Sequence, residues 1–123
     1  MMGSDTNIIY DRSFDFGLRI IKIYKYLCSD KNEYVMSKQL LRAGTAIGAN
    51  VAEARHAQSR ADFISKMSIA LKEADETNYW LRLLSASEYV SEGQVGLVLN
   101  ECNEIISILV SIVRNSKLNS QDK

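Results

Sequence analysis

The 123-residue sequence has no proline and only six glycines, so the residues that most often interrupt helices are scarce. It also lacks an excess of either charge: its 15 basic and 15 acidic residues cancel, and no global field would draw it onto nucleic acid or an anionic membrane. Cys28 and Cys102 are too few and too far apart to predict a zinc cluster, a redox pair or a disulfide framework. These absences exclude disordered, collagen-like and disulfide-stapled chains and favour one domain of long helices.

Long hydrophobic runs are missing as well. The longest nearly apolar run, IISILVSIV at 105–113, has nine residues, whereas a bilayer span needs about 20. The N-terminus lacks the apolar segment of a signal peptide. We therefore expect a cytoplasmic protein that does not bind membranes.

The spacing of the apolar residues predicts four helices. They cover about 11–28, 37–57, 59–87 and 91–117, and 1–6 and 118–123 are prone to disorder. Short connections make consecutive helices antiparallel neighbours. We predict an all-α fold, an antiparallel up-down-up-down four-helix bundle that forms one domain over 1–123.

Polar residues mark the expected helix starts. The predicted N-caps are Asp11, Ser37, and the capping-box pairs Ser59 with Asp62 and Ser91 with Gln94. The first helix carries two adjoining apolar stripes, one through Phe14, Gly17, Ile21, Tyr24 and Cys28, the other through Phe16, Ile20, Ile23 and Leu27. The inner stripes of the other helices run through Leu40, Ile47 and Val51, through Met67, Ala74 and Leu81, and through Val95, Cys102 and Leu109.

The segment QLLRAGTAIGANVAEA at 39–54 holds Gly44 and Gly48 inside a predicted helix, where each glycine costs up to about 1 kcal/mol relative to alanine. The surrounding small residues leave a smooth surface, so a neighbouring helix can approach closely and offset that cost. Asn50 lies on the inner stripe, and we expect it to be buried and bonded to the third helix.

Charged residues flank this small-residue surface. Arg42 and Glu53 share one helical face, and their solvation and their pairing across helices or subunits are both open. Glu73 and Glu76 share the face of Trp80 and are expected to pair with arginines at an interface.

Apolar residues exceed what one bundle core needs. Beside the seams lie Leu99, Ile106, Val110 and Val113 on the fourth helix and Ile69, Trp80 and Leu83 on the third. Because surplus apolar area typically marks an interface, we predict a homo-oligomer.

The side chains offer little for catalysis. Glu53 and His56 have the i, i+3 spacing of di-iron bundles, but such sites need two of these motifs, and His56 is the only histidine. No nucleophile–base pair or phosphate-binding loop is evident. We expect no enzyme activity, cofactor or metal, although symmetry could bring a second copy of Glu53 and His56 to a shared axis.

Basic residues concentrate at one predicted end of the bundle. They are Arg12, Arg55, Arg60, Arg114, Lys117 and Lys123, with His56 beside them, against the acidic residues Asp11, Asp62 and Asp122. Repeated around an oligomer they would form a rim able to track phosphates, and Arg55 and Arg60 are the strongest candidates. Arg19, Lys22 and Lys25 form a second, weaker strip. Ordinary solvated helix ends explain the same residues, so a nucleic-acid adaptor and a protein-binding scaffold both stay open.

The pieces QLLRAGTAIGANVAEA, FISKMSIALKEADET and YWLRLL, in order within 37–84, resemble the 23S rRNA intervening-sequence proteins, a bacterial four-helix-bundle family. YDRSFDFGLRIIKIYKYL resembles that family's first helix, and Ala46 replaces an expected serine. The resemblance implies a small cytosolic bundle. Some members are encoded inside insertions in large-subunit rRNA genes, which associates them with RNA by location. Similarity to accessory proteins of diversity-generating retroelements implies a ring-shaped homopentamer with a nucleic-acid or reverse-transcriptase partner.

Overall fold

Four helices make up the computed structural model, which describes residues 4–121. They are α1 (Ser4–Lys31), α2 (Met36–Ala54), α3 (Arg60–Ala86) and α4 (Glu92–Gln121), and no strand occurs within this range. Each helix packs on its neighbours in the chain and α1 also packs on α4, whereas over 4–121 the Cα atoms of the diagonal pairs, α1 with α3 and α2 with α4, stay more than 8 Å apart. The prediction of an all-α four-helix bundle is confirmed.

Contacts between neighbouring helices show that the helices are antiparallel. Arg42, early in α2, pairs with Glu73 and Glu76 in the middle of α3, whereas Glu53 near the end of α2 pairs with Lys66 near the start of α3. Arg55 after α2 lies on Tyr10 of early α1, and α1 pairs with α4 through Arg12–Glu104 and Arg19–Glu101, again in antiparallel order. The start of α1, the α2–α3 connection and the end of α4 therefore share one end of the bundle.

The first and last helices, α1 and α4, are longer than predicted. The start of α1 is Ser4, so Asp11 is not its N-cap, and α4 continues to Gln121 through most of the tail expected to be disordered. Thr6 and Ile9 are buried, and their packing stabilises turns whose local composition does not predict a helix. Residues 1–3 and 122–123, also expected to be prone to disorder, lie outside the described residues.

Two of the predicted helix caps are confirmed. The Asp62 N–H donates to Ser59 Oγ at 3.0 Å, and the Gln58 N–H donates to the Asp62 carboxylate at 3.2 Å. At the start of α4, the Ser91 N–H donates to Gln94 Oε1 at 2.7 Å, and the Gln94 N–H donates back to Ser91 Oγ at 3.1 Å. These bonds satisfy N–H groups that a helix start leaves without partners.

Ser37 was wrongly predicted as the cap of α2. The Glu33 carboxylate accepts the N–H groups of Val35, Met36 and Ser37 at 3.1, 2.9 and 2.7 Å, while the Ser37 hydroxyl donates to the Glu33 carbonyl at 2.8 Å. Burial alone would raise the pKa of Glu33, but the bonds from these N–H groups outweigh it and hold the pKa below its ordinary value. A carboxylate that is only 8% exposed thus caps the helix from outside it.

The core contains the predicted inner stripes of α2, α3 and α4. Leu40, Ile47, Val51, Met67, Ala74, Leu81, Val95, Cys102 and Leu109 are all buried. In α1 the two predicted stripes separate: Phe16, Ile20 and Leu27 are buried, whereas Phe14 is 62% exposed. Phe14 was therefore wrongly assigned to the inner face, because α2 and α4 cover only part of the wide apolar surface of α1.

Gly44 marks the closest approach of α1 to α2. A Cβ atom built on Gly44 would lie 2.7 Å from Ile20 Cγ2, whereas one on Gly48 would lie 3.4 Å from the Ser13 carbonyl oxygen, an ordinary contact. The small-residue surface of α2 is thus occupied by α1, and the glycine cost at Gly44 is offset by packing.

One helical segment within residues 4–121, Glu92–Asn119, is long enough to cross a membrane and contains an 18-residue stretch with a mean hydropathy of 1.6. Its seam residues Val95, Cys102, Ile105 and Leu109 are buried against the other helices. In the bundle, one face of this segment is part of the core.

Candidate nucleic-acid interface

The Arg55 side chain is fixed at the bundle end where α1 begins and α2 ends. Its guanidinium carbon lies 4.1 Å from the centroid of the Tyr10 ring, within cation–π distance. The end of α2 is closed by backbone bonds from Arg55, His56 and Ala57 to the carbonyls of Val51, Glu53 and Ala54, respectively. The Arg55 side chain is therefore not needed as a cap, and it stays exposed with its charge available to a ligand.

The other predicted cations at this end differ in whether they form an ion pair. Arg12 pairs with Glu104 of α4, so much of its charge is neutralised within the chain. Within residues 4–121, no carboxylate lies within ion-pairing distance of Arg55, Arg60, Arg114 or Lys117. Lys123 lies outside the described residues. This end, which we call the cationic end, thus presents four cations that make no ion pair within residues 4–121. Asp11 and Asp62 lie at the same end, so its basic surplus is small for one chain.

The second basic strip, on α1, is partly compensated. Arg19 Nε lies 3.3 Å from Glu101 Oε1 of α4. Lys22 and Lys25 are exposed on α1, beside Leu18, which is also exposed. A polyanion would find fewer free charges here than at the Arg55 end.

The predicted cluster around Arg42 is an ion-pair network between α2 and α3. Arg42 Nη1 lies 3.3 Å from Glu73 Oε1, and Arg42 Nη2 pairs with Glu76. Glu76 also accepts the indole N–H of Trp80 at 3.0 Å, and Tyr79 meets the Trp80 ring edge-on with centroids 5.2 Å apart. These side chains join two helices of one chain and support a half-exposed aromatic pair.

Asn50 does not bond to α3, as its stripe predicted. It is half-buried, and its side-chain N–H donates at 2.9 Å to the Ala46 carbonyl of its own helix. A short polar side chain in a helix can reach the carbonyl one turn earlier in the same way. The expectation of an interhelical partner for Asn50 was therefore wrong.

Glu53 is engaged away from His56. Its carboxylate lies 3.0 Å from Lys66 Nζ, and the hydrogen bond and charge of Glu53 raise the Lys66 pKa. His56 is exposed. Over residues 4–121, no three histidine, cysteine or acidic side chains are grouped closely enough to hold a metal ion.

Sequence reasoning missed a cleft at the other end of the bundle. It lies between the end of α3 and the start of α4 and has a volume of about 1330 Å³. The side chains of Asn78 and Asn103 bond to each other on its wall. The only hint of this cleft in the sequence was the presence of asparagines at 78, 100 and 103. Whether their side chains meet depends on the register of α3 against α4.

Fold and site together define a small antiparallel four-helix-bundle protein with a cationic end. The model of the 23S rRNA-intervening sequence protein family matches residues 5–111, and the chain belongs to this family. A crystal structure of a protein of unknown function from the S23 ribosomal protein family of Bacteroides thetaiotaomicron is 51% identical, with a TM-score of 0.87. The match covers 89% of this chain and 98% of that one. No curated protein matches the chain.

Proposed function

We propose that this protein is a non-enzymatic, cytoplasmic, homo-oligomeric adaptor that binds RNA, or another nucleic acid, through its cationic end. The observation that carries the proposal is the exposed Arg55 guanidinium over the Tyr10 ring, with no carboxylate partner in residues 4–121. Because an aromatic ring already orients it, this arginine loses little conformational freedom on binding a phosphate or stacking on a base. Because the name of the family refers to 23S rRNA, a structured RNA is the first ligand to test.

Self-association supplies the charge density that one chain lacks. The net charge of the chain is zero, so a single end with four free cations would bind a polyanion weakly. Exposed apolar side chains on the outer faces of α1 and α3 offer surfaces for other copies: Ile8, Phe14, Leu18, Ile69, Tyr79 and Leu83. A ring, which we propose to be a pentamer, would repeat the cationic end along one rim.

RNA binding is tested by fluorescence anisotropy, with a labelled RNA hairpin and a labelled DNA duplex titrated at about 50 to 200 mM salt. We expect affinity to fall steeply with salt and to weaken at least about tenfold in the double variant Arg55→Glu, Arg60→Glu. The charge-matched control is Lys38→Glu, Lys72→Glu, which reverses two exposed lysines away from this end.

Equal losses in the two double variants would mean nonspecific attraction and would refute the assigned site. A lack of binding by the intact oligomer at low salt would refute the nucleic-acid function itself. Light scattering on the same samples tests the assembly: a mass equal to one 13.9 kDa chain at micromolar concentration would refute the oligomer. We expect Phe14→Glu or Tyr79→Glu to lower the mass, because each puts a charge on an exposed apolar face.

A further inference from the structure

The cleft between α3 and α4 lies at the end of the bundle opposite the cations. Residues 88–91 of the connection contribute to its lining, and its walls include Asn78 and Arg82 on one side and Leu99 and Asn103 on the other. Its volume of about 1330 Å³ exceeds the ~300–1,000 Å³ of most small-molecule pockets. This volume is large enough for a short segment of polypeptide.

Two amides lie on the cleft wall and bond to each other. Asn78 Nδ2 donates to Asn103 Oδ1 at 3.0 Å, across the gap between the helices. In this orientation Asn78 keeps its oxygen, and Asn103 its NH₂ group, for a further hydrogen bond. A peptide group carries the complementary N–H and C=O, so the main chain of a peptide can bond to both amides.

Gly96 leaves room above the floor of the cleft. A Cβ atom built there would meet nothing within 4 Å. Leu99, which also lines the cleft, is half-buried, and so is Tyr89 from the α3–α4 connection. An extended chain could therefore approach the α4 backbone while its side chains contact Leu99 and the Tyr89 ring.

Charge around the cleft is balanced. Lys31 and Arg82 are matched by Glu88 and Glu92. Because these formal charges sum to zero, the lining gives a polyanion no net attraction. Hydrogen-bonded amides and a net charge of zero match an uncharged stretch of polypeptide main chain.

We propose that this cleft binds an extended, largely uncharged polypeptide segment of a partner protein, whose main chain bonds to the Asn78–Asn103 pair. The site is independent of the cationic end and would give the adaptor a protein-binding surface opposite its nucleic-acid surface. Asn78 and Asn103 position the peptide, and Gly96 provides the space for it.

The test begins by panning a phage-displayed library of linear random peptides on the full-length protein. The most enriched peptide is then labelled and titrated by fluorescence anisotropy against the wild type and three variants. Gly96→Leu fills the cleft and Asn103→Leu removes one amide. Gly17→Leu is the matched control, since a Cβ on Gly17 also meets nothing within 4 Å and Gly17 lies on α1, away from the cleft.

We expect binding to be at least about tenfold weaker in Gly96→Leu and Asn103→Leu, unchanged in Gly17→Leu, and nearly independent of salt between about 50 and 200 mM. Circular dichroism checks that each variant folds. If Gly96→Leu does not fold, Asn103→Leu still tests the site, because Asn103 is exposed and the fold tolerates its replacement. The proposal is overturned if no peptide is enriched over a Gly96→Leu surface or if the cleft variants bind like the control. It is also overturned if labelled single-stranded RNA, and no peptide, binds in a Gly96-dependent way. Nucleic-acid binding at the other end can fail without affecting any of these results.

Discussion

Replacing Gly44 with alanine tests whether close helix packing explains the two glycines of α2. The new Cβ would lie 2.7 Å from Ile20 Cγ2 and 2.8 Å from Ile20 Cγ1. Both atoms branch from the β-carbon of a fully buried side chain, so neither can swing away as the end of a flexible chain could. The helices must separate slightly, or Ile20 must leave its preferred rotamer.

The expected magnitude follows from two opposed effects. Alanine in place of a helical glycine gains about 1 kcal/mol in helix propensity. Overpacking a filled core costs about 1–3 kcal/mol. We therefore expect Gly44→Ala to lower the free energy of unfolding by about 1–2 kcal/mol, because the overlap involves two carbon atoms of one rigid side chain.

Two other glycines serve as controls. Gly48→Ala meets the Ser13 carbonyl oxygen at an ordinary 3.4 Å, and Gly17→Ala meets open space. Both should keep their propensity gain and stabilise the protein by up to about 1 kcal/mol. The contrast between Gly44 and Gly17 is then about 2–3 kcal/mol.

The assay is urea unfolding, followed by far-UV circular dichroism and Trp80 fluorescence at one fixed protein concentration. A double-mutant cycle with Ile20→Ala tests the contact directly, because removing both Cγ atoms should recover about 1 kcal/mol of the Gly44→Ala loss. If Gly44→Ala stabilises the protein as much as Gly17→Ala does, or if the cycle shows no coupling, the packing explanation is wrong.

Three further predictions follow from the helix ends and the core. Glu33→Gln should destabilise the protein by about 2 kcal/mol at pH 7, because it loses charge-assisted bonds to the start of α2. Since folding lowers the Glu33 pKa, this stabilisation is present above the ordinary pKa of 4.5 and is lost as the pH falls through the lowered value. The gap between wild type and variant in urea unfolding should therefore close in acid, and a gap that does not change with pH would contradict this. Glu88→Gly should stabilise by about 0.5–1 kcal/mol in thermal unfolding, since Glu88 has a φ of 68° in the left-handed region; a loss of stability would show that its side chain matters more. Burial raises the pKa of the Cys102 thiol to about 12, so at pH 8 a thiol reagent should modify half-buried Cys28 in the folded protein and Cys102 only after unfolding; early modification of Cys102, seen by mass spectrometry, would refute its burial.

The helix caps could be predicted from the sequence only where all the capping residues are close together in the chain. The Ser59–Asp62 and Ser91–Gln94 boxes are confirmed because each is complete within four residues. The cap of α2 was missed because the carboxylate of Glu33 reaches forward from before the helix, which requires Glu33 to be buried.

The candidate site shows the same division. The antiparallel order brings the cations to one end, as predicted, but only the structure shows that Arg12 is paired with Glu104 and that Arg55 lies on Tyr10. The asparagines themselves are visible in the sequence, but the Asn78–Asn103 bond could not be predicted, because its members are 25 positions apart and on different helices.

The sequence by itself determined the number and type of the helices and the inner faces of α2, α3 and α4. Apolar periodicity and short connections are local properties that any packing of these helices must respect. The tertiary structure decided the rest: which stripe of α1 is buried, where α1 and α4 end, which charges are paired, and where a cleft opens. Those features depend on the distance and register between helices, which side chains from distant parts of the chain set together.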